Sequence, residues 1–511
     1  MLKRFFYSFA LSATLMPLLF AQGSGSAQST RAQQLPLSGR QTQQSGSVNV
    51  QQSTSGGGSS SVNTSSTNVS VQGSYSGSVS GTEEGGAMTL QQAIQMGLRY
   101  NLGAVDASAS LRQVRAQRLS ALSQLFPTIN ASLSETGAKT DLQTLGLSSG
   151  TFGGGAAGPS LPTTVGPYHY YDARLTVNYN ALDFTAVHNF RSAKALEQAS
   201  ELSDKDAREL VVLAVGGEYL KVLADTALVE AQMAQVRYAQ SSYDQSAAQR
   251  DAGTKAPVDA ERSLVELQTE RQRLTSQRAD LVKEKRSLAR VIGLGLDADF
   301  TPQEKLLFTP APPLPLDEAL KLAAATRADL KAAAAQLLAA EETLKAAHSE
   351  HLPTVNVNGY VALEGVNPNH ANGVFSGTAS VSVPVWQAGR IRSDIEQAKA
   401  VIDQRRAEYQ DQRGAVELDI RNAYTDFETA TNQVQVADSN RSLALQTLQQ
   451  SQDRFAAGVA TSVEVVQSQE SLAAADRDYV SSLYSHNLAK ISLARALGQA
   501  ETSIPDLLKG K

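Results

Sequence analysis

The 511-residue sequence contains no cysteine. No disulfide can form, and no cysteine is available to carry a lipid anchor. Aromatic residues make up only 6% of a chain that is 41% hydrophobic, a lean supply for several compact cores. Ala, Gln and Ser are abundant instead, which points to long, thinly packed helices. No block of consecutive like charges occurs, the net charge is -5 and the pI is about 5.8, so no basic field exists to hold nucleic acid. Beyond the first 21 residues no apolar run approaches the roughly 18 residues that a membrane-spanning helix needs. If the mature chain enters a membrane, it must do so as β-strands.

What is present begins with MLKRFFYSFALSATLMPLLFAQG, where Lys3 and Arg4 precede an apolar run from Phe5 to Phe20 and the small Ala21. This reads as a secretory signal peptide, residues 1–21, and places the mature protein outside the cytoplasm. Residues 22–88 are dominated by Ser, Gly, Gln, Thr and Asn, too poor in apolar side chains to offset the entropy of ordering, and read as a disordered leader.

Two copies of one plan follow, residues 89–293 and 317–498, with a Pro-rich linker at 294–316 and a C-terminal tail at 499–511. TLQQAIQMGLRYN and a further helix end at LFPTIN; PLDEALKLAAATR and a similar helix end at HLPTVN. After each Pro the helical period gives way to a period of two. Ile129, Ala131 and Leu133 alternate with polar residues, as do Val355, Val357, Val361 and Leu363. Partner strands carry Leu175, Val177 and Tyr179, then Ala379, Val381, Val383 and Val385, so each copy contributes one hairpin with one apolar face. The first hairpin loop is expected at about residues 138–170 and is Gly-rich.

Long helices are predicted next, roughly 184–250 and 389–456, each followed by a shorter one at 257–293 and 461–498. In the second copy Ile395, Ile402, Tyr409, Val416, Ala423, Ala430, Ala437 and Ala444 repeat every seven residues, the signature of coiled-coil packing. A helix of about 67 residues spans roughly 100 Å, which two stacked shorter helices match; the linker would lie near the middle of that rod. Both long helices break at a glycine, in QRDAGTKAPVDA and RFAAGVATSVEV, and the two breaks superpose at an offset of 205 residues: Gly253 on Gly458, Val258 on Val463, Asp259 on Glu464. Four strands per chain suit an outer membrane but cannot close a barrel alone, so closure needs several chains. The arithmetic does not choose between two and three.

The duplicated plan, the helix-Pro-Thr-strand junctions LFPTIN and HLPTVN, the segment VSVPVWQAGRIR and the turn RFAAGVATSVEV together resemble the TolC-type outer-membrane efflux proteins, over residues 88–498. The resemblance implies a mainly α fold with a membrane β-barrel: a homotrimer whose four strands per protomer complete twelve, continuous with a long coiled-coil periplasmic tunnel. It implies an outer-membrane channel of a tripartite efflux or type I secretion system, embedded in outer-membrane lipid and fed by an inner-membrane pump through a periplasmic adaptor, with no enzymatic activity or cofactor. Gly253 and Gly458 would mark the turns at the periplasmic tip. There Asp259 and Glu464 would ring the entrance, although the third position of a helix also suits a carboxylate, and Thr461-x-x-Glu464 is a capping-box pattern. Gln467 stands where relatives carry a second acid, Ala460 where they carry a basic residue, and Phe455 where they carry a tyrosine. Phe455 reads as a gate residue or as coiled-coil core. Arg250, Thr254, Lys255, Arg454, Val459, Thr461 and Ser462, with the two glycines, are the candidate adaptor contacts. Tyr168, Tyr170, Tyr171, Tyr360, Phe375 and Trp386 are candidates for an aromatic girdle. Without the acylated cysteine of many relatives, the hold on the membrane would rest on the barrel.

Other classes fit less well. His348 and His351 are three apart on a predicted helix, but no partner motif completes a metal set, and no phosphate-binding loop or nucleophile motif occurs. A trimeric coiled-coil surface adhesin or structural envelope protein would also be exported and Ala- or Ser-rich, but would usually gather its barrel strands at the C-terminus rather than in two separate hairpins. The cargo is not written in the sequence.

Overall fold

The computed structural model describes residues 74–79, 81, 85–145, 163–254, 256–309 and 315–507. The signal peptide, residues 22–73 of the leader and Lys255 lie outside them. Strand β1 (Ala87–Met88) precedes helices α1 (Leu90–Tyr100) and α2 (Leu102–Ser123), strands β2 (Thr128–Asp141) and β3 (Thr164–Leu182), and helices α3 (Phe184–Asp251) and α4 (Pro257–Ile292). After β4 (Thr301–Pro302) come α5 (Leu316–Thr326), α6 (Ala328–Ser349), β5 (Thr354–Gly365), β6 (Ala371–Ser382), α7 (Arg390–Ala456), α8 (Ser462–Ala496) and α9 (Ala500–Leu507).

Local chemistry sets these boundaries. Pro127 and Pro353 cannot donate to a helix, and β2 and β5 start at the next residue in each case. Thr89 and Gln92 form a reciprocal capping box on α1, Asp183 caps α3 by accepting from the Ala186 N–H, and Pro257 opens α4 at a position where its missing N–H costs nothing.

The short helices pack along the two halves of the long ones. Near the strands, Arg115 and Arg118 of α2 reach Glu197 of α3 at 3.4 and 3.1 Å, and Ser192 of α3 donates to the Ala339 carbonyl of α6. At the far end Ser246 of α3 meets Ser263 of α4. The seven-residue stripe of α7 faces inward: Ile395, Ile402, Val416, Ala423, Ala430 and Ala437 are all buried.

The largest core sits at mid-height, where Val211, Val215, Tyr219 and Leu220 of α3 meet Leu288 and Ile292 of α4, Ile491 of α8 and Phe300 of the linker. Glu304 ties three segments together there, accepting from the Leu90 N–H at the start of α1 and from the Tyr219 hydroxyl. On the other side of the linker, α8 grips it: Asn487 donates to the Leu307 carbonyl, and Lys490 to the Thr309 hydroxyl at 2.6 Å. His486 is fully buried between Phe308 and Phe427, with ring centroids 4.9 and 5.3 Å away.

Ordered structure begins earlier than composition suggests. Residues 74–79 form a short 3-10 turn and a bridge, Ser78 to Asn101, and β1 pairs in parallel with β4 of the linker. Asn101, with no exposed surface, donates to the carbonyls of Tyr75 and Val291. Backbone pairing and one buried amide thus order a segment with few apolar residues. The first hairpin also runs further than expected. β2 extends to Asp141 and β3 begins at Thr164, because the Tyr168-His169-Tyr170-Tyr171 run pairs with 135–138; aromatic residues favour a pleated surface.

The linker clamp carries a pH dependence. Burial, then the neighbouring Lys490 charge, lowers the His486 pKa from 6.5 to about 4. The unfolded chain takes up this proton first, so the contribution is complete above about 6.5 and is lost as pH falls towards 4. Glu209 on α3 acts with the opposite sign. Burial raises it from 4.5 to about 7 against the pull of Arg495, so its contribution is complete below 4.5 and is lost as pH rises to 7. Unfolding temperatures measured from pH 7 down to 4.5 should therefore change less in the parent than in single variants. His486→Gln should gain stability on acidification relative to the parent, and Glu209→Gln should lose it; superimposable pH profiles would contradict both assignments.

Candidate functional site

The two breaks in the long helices are built alike. Gly253 and Gly458 adopt φ of +70° and +77°, the left-handed region in which a Cβ is disfavoured. Around the first, the Gly253 N–H donates to the Arg250 carbonyl and the Thr254 N–H to the Gln249 carbonyl; around the second, Gly458 donates to Phe455 and Val459 to Arg454. Each is a Schellman turn, in which the left-handed glycine lets two N–H groups satisfy orphan carbonyls of the last helical turn.

The helices that leave these turns place Asp259 and Glu464 at equivalent third positions. Of the capping box, the hydroxyl half forms: Thr461 accepts from the Glu464 N–H at 3.4 Å. The Glu464 carboxylate reaches instead towards Arg454, 3.5 Å away across the turn, an exposed pair worth little energy but one that orients the acid. Gln467, one turn on, is exposed on the same side. Asp259 is engaged differently. Ser462, at the start of α8, donates to its carboxylate at 2.9 Å, so the α3–α4 hairpin is joined to the α7–α8 hairpin at the tip.

Ser462 is only 6% exposed. It turns toward the neighbouring hairpin and leaves the set of adaptor-facing candidates, because the first position of α8 lies against α4. Phe455 is 3% exposed, packed with Leu448, Val465 and Leu472 beside Ala460, a core residue of the tip and not a lining group. Arg250, Gly253, Thr254, Arg454, Gly458, Val459 and Thr461 are exposed, while Lys255 is outside the described residues. Two further polar links between the hairpins went unread in the sequence. Gln469 of α8 donates to Ser242 of α3, and Gln235 of α3 donates to Asp476 of α8, which also holds Arg441 of α7. Gln and Ser occur all along these helices, so no local signal marks the ones that turn inward.

At the opposite end the sheet runs β2-β3-β5-β6, antiparallel throughout. Its register aligns Ala131, Leu175, Val361 and Phe375 in one rung and Ile129 with Val177 in another. This face is apolar and open to the surroundings: Phe375 is 85% exposed, Leu133 70%, Ile129 and Val381 67%. The opposite face carries Asn130, Thr176, Asn178, Asn358, Ser376 and Thr378. Side chains alternate with period two, which divides the candidate girdle. Tyr171 and Phe375 lie on the apolar face and Trp386 follows β6, but Tyr168, Tyr170 and Tyr360 share the polar face.

A sequence profile of the outer membrane efflux protein family matches residues 99–294 and 319–499, well over half of the chain. The chain belongs to that family. Among relatives, the toluene efflux pump outer membrane protein TtgF of Pseudomonas putida is 22% identical over 367 residues, covering 68% of this chain and 74% of its own. The probable outer membrane lipoprotein SilC of Salmonella typhimurium is 22% identical over 368 residues, covering 69% and 77%. The fold is similar to that of the outer membrane protein VceC of Vibrio cholerae, with a TM-score of 0.66 and 19% identity over 80% of this chain and 96% of that one. It is similar also to the open state of the MtrE channel of Neisseria gonorrhoeae, with a TM-score of 0.67 and 17% identity over 80% and 89%. This member of the outer membrane efflux protein family is an outer-membrane channel of efflux systems. Family and fold are those of channels rather than enzymes.

If Phe455 is the plug of the tip core, Phe455→Ala should cost about 3–5 kcal/mol locally. Amide hydrogen exchange would then quicken across residues 448–472 while the mid-height core around Tyr219 keeps its protection. Unchanged exchange at the tip would return Phe455 to the surface.

Proposed function

We propose that three copies of this internally duplicated chain close into a twelve-stranded barrel and a continuous helical tunnel. The channel passes substrate from an inner-membrane pump, through a periplasmic adaptor docked at the helical tip, to the cell exterior. The observation that carries this reading is the sheet. β2 and β6 are its two edges, and one face, from Ile129 and Leu133 across to Phe375 and Val381, is apolar and exposed. In lipid an unpaired edge leaves several backbone groups unsatisfied at a cost of several kcal/mol each. A closed ring removes the edges, and because each chain contributes an even number of alternating strands, β6 of one copy meets β2 of the next antiparallel. Resemblance to the family selects three copies. The polar face then lines the lumen, and the exposed Arg250, Thr254, Arg454, Val459 and Thr461 offer the adaptor its surface.

The tip is the gate in this reading. Three copies of Asp259 and Glu464 surround one entrance. At the tip the hairpins are joined by the packing of Tyr238 of α3 against the Phe455 cluster and by hydrogen bonds: Ser462 to Asp259, Gln469 to Ser242, Gln235 to Asp476. Opening by separating the hairpins at the tip would exchange these bonds for bonds to water while the pairs Phe455–Val465 and Leu448–Leu472, within the α7–α8 hairpin, stay together.

Native mass measurement on detergent-solubilised protein should give a trimer; a stable monomer or dimer would remove the barrel. Glu464→Gln keeps the side-chain shape and the Thr461 cap while removing three charges per trimer. Single-channel recordings of this variant should show weaker cation selectivity and less block by multivalent cations applied from the helical end. Conductance identical to the parent would leave Glu464 as a surface residue alone.

A further inference from the structure

The polar face of the sheet is nearly free of charge. Reading the rungs from Thr128 to Ala138 of β2 across to β6, its side chains are Asn, Ser, Thr, Tyr, Ala and Val, with three exceptions: Asp172 and Arg174 of β3 and Glu364 of β5. These three lie together. Arg174 reaches Asp172 through Nη2 at 2.6 Å and Nε at 3.2 Å, and Glu364 through Nη2 at 3.0 Å. Its guanidinium lies 4.5 Å above the Tyr360 ring. Beneath it Ala362, opposite Arg174 in the same rung, is 2% exposed; this small side chain lets the arginine lie flat along the wall.

The cluster occupies the last rungs before the β5–β6 turn, since β5 ends at Gly365 and β6 begins at Ala371. That is the end of the sheet away from the helices. One guanidinium set against two carboxylates leaves one net negative charge per chain. All three side chains stay partly open to the polar face, Arg174 by 30%, Glu364 by 24% and Asp172 by 13%, so the sign of the field follows the net charge of the cluster.

We propose that Asp172, Arg174 and Glu364, repeated in three copies, form a charged collar at the outer end of the lumen that sets the preference of the pore for cations over anions. The proposal rests on the trimeric barrel above. It adds a second filter, separate from the acids of the helical tip and at the opposite mouth. With neutral walls on either side, the collar is the largest fixed charge that an ion meets in the barrel, and the low-dielectric wall strengthens its field. The rival role is structural: Arg174 and Glu364 bridge β3 and β5, and so could serve only to hold the register between the two hairpins.

Planar-bilayer recordings on the intact protein separate these roles. Under a potassium chloride gradient, Glu364→Gln retains an acceptor for Arg174, and hence the register bond, while taking one negative charge from each chain. Its cation-to-anion permeability ratio should fall by about twofold or more. Arg174→Gln should move the ratio the other way. If Arg174→Gln does not reach the membrane, Asp172→Asn should shift the ratio in the same direction as Glu364→Gln. Magnesium chloride added on the sheet side should block the parent more than Glu364→Gln, while block from the helical side stays equal in the two, because the tip acids are untouched. Variants that conduct with the permeability ratio and sheet-side block of the parent would overturn the collar and leave a register lock. A parent that forms no channel would overturn the barrel reading itself, and the collar with it.

Discussion

A backbone group in lipid must find its partner within protein, and the rest of this molecule can be read as a response to that constraint. One chain supplies four strands, ordered β2-β3-β5-β6, with hydrogen-bonding groups open along both outer strands. Such a sheet is unfinished. Its apolar face, bearing Ile129, Leu133, Val361 and Phe375, is covered by no helix among the described residues. The helices obey a different rule. With water on their outer surfaces they can satisfy their backbones alone, so their packing is free to be thin, and the stripe on α7 thins from Ile395 and Ile402 to Ala423, Ala430 and Ala437.

Thin packing makes the contribution of polar links larger. Between the α3–α4 and α7–α8 hairpins, Gln235, Ser242 and Asp259 meet Asp476, Gln469 and Ser462. A hydrogen bond of this kind contributes about 0.5–1.5 kcal/mol net, and the groups it joins can be satisfied equally by water. A buried phenylalanine has no such alternative. Attachment between the hairpins therefore changes along the rod: it is apolar at mid-height, where Ile491 meets α3, and mostly hydrogen-bonded at the tip, where Tyr238 is the apolar contribution of α3 to the Phe455 cluster.

Much of this was legible in the sequence because the chain punctuates itself with residues whose backbone behaviour is unambiguous. Pro127 and Pro353 mark where helix becomes strand, Gly253 and Gly458 where the long helices end, Pro257 and Ser462 where their partners begin, and the structure places each boundary within a residue or two. What escaped depended on partners distant in sequence. The order of residues 74–79 comes from Asn101 and from backbone pairing, neither visible in a Ser- and Gly-rich composition. Ser462 is a plausible surface residue until α4 is laid beside it. Aromatics near strand ends suggested a girdle, but a single step of register separates Tyr170 from Tyr171 and sends them to opposite faces.

The mid-height core has a consequence for how the chain is made. It joins Tyr75 and Met88 to Tyr219, Ile292 and Phe300, and all of these to Ile491. Neighbouring helices can pair as soon as they are synthesised, since the hairpins are local. The centre cannot close until α8, almost the last element, has crossed the inner membrane. Contacts of such long sequence separation form slowly, and the surfaces awaiting them are the most apolar in the helical part of the molecule. A newly exported chain therefore waits with hairpins formed and centre open, and its safe arrival depends on being shielded from other copies until its final helix is delivered.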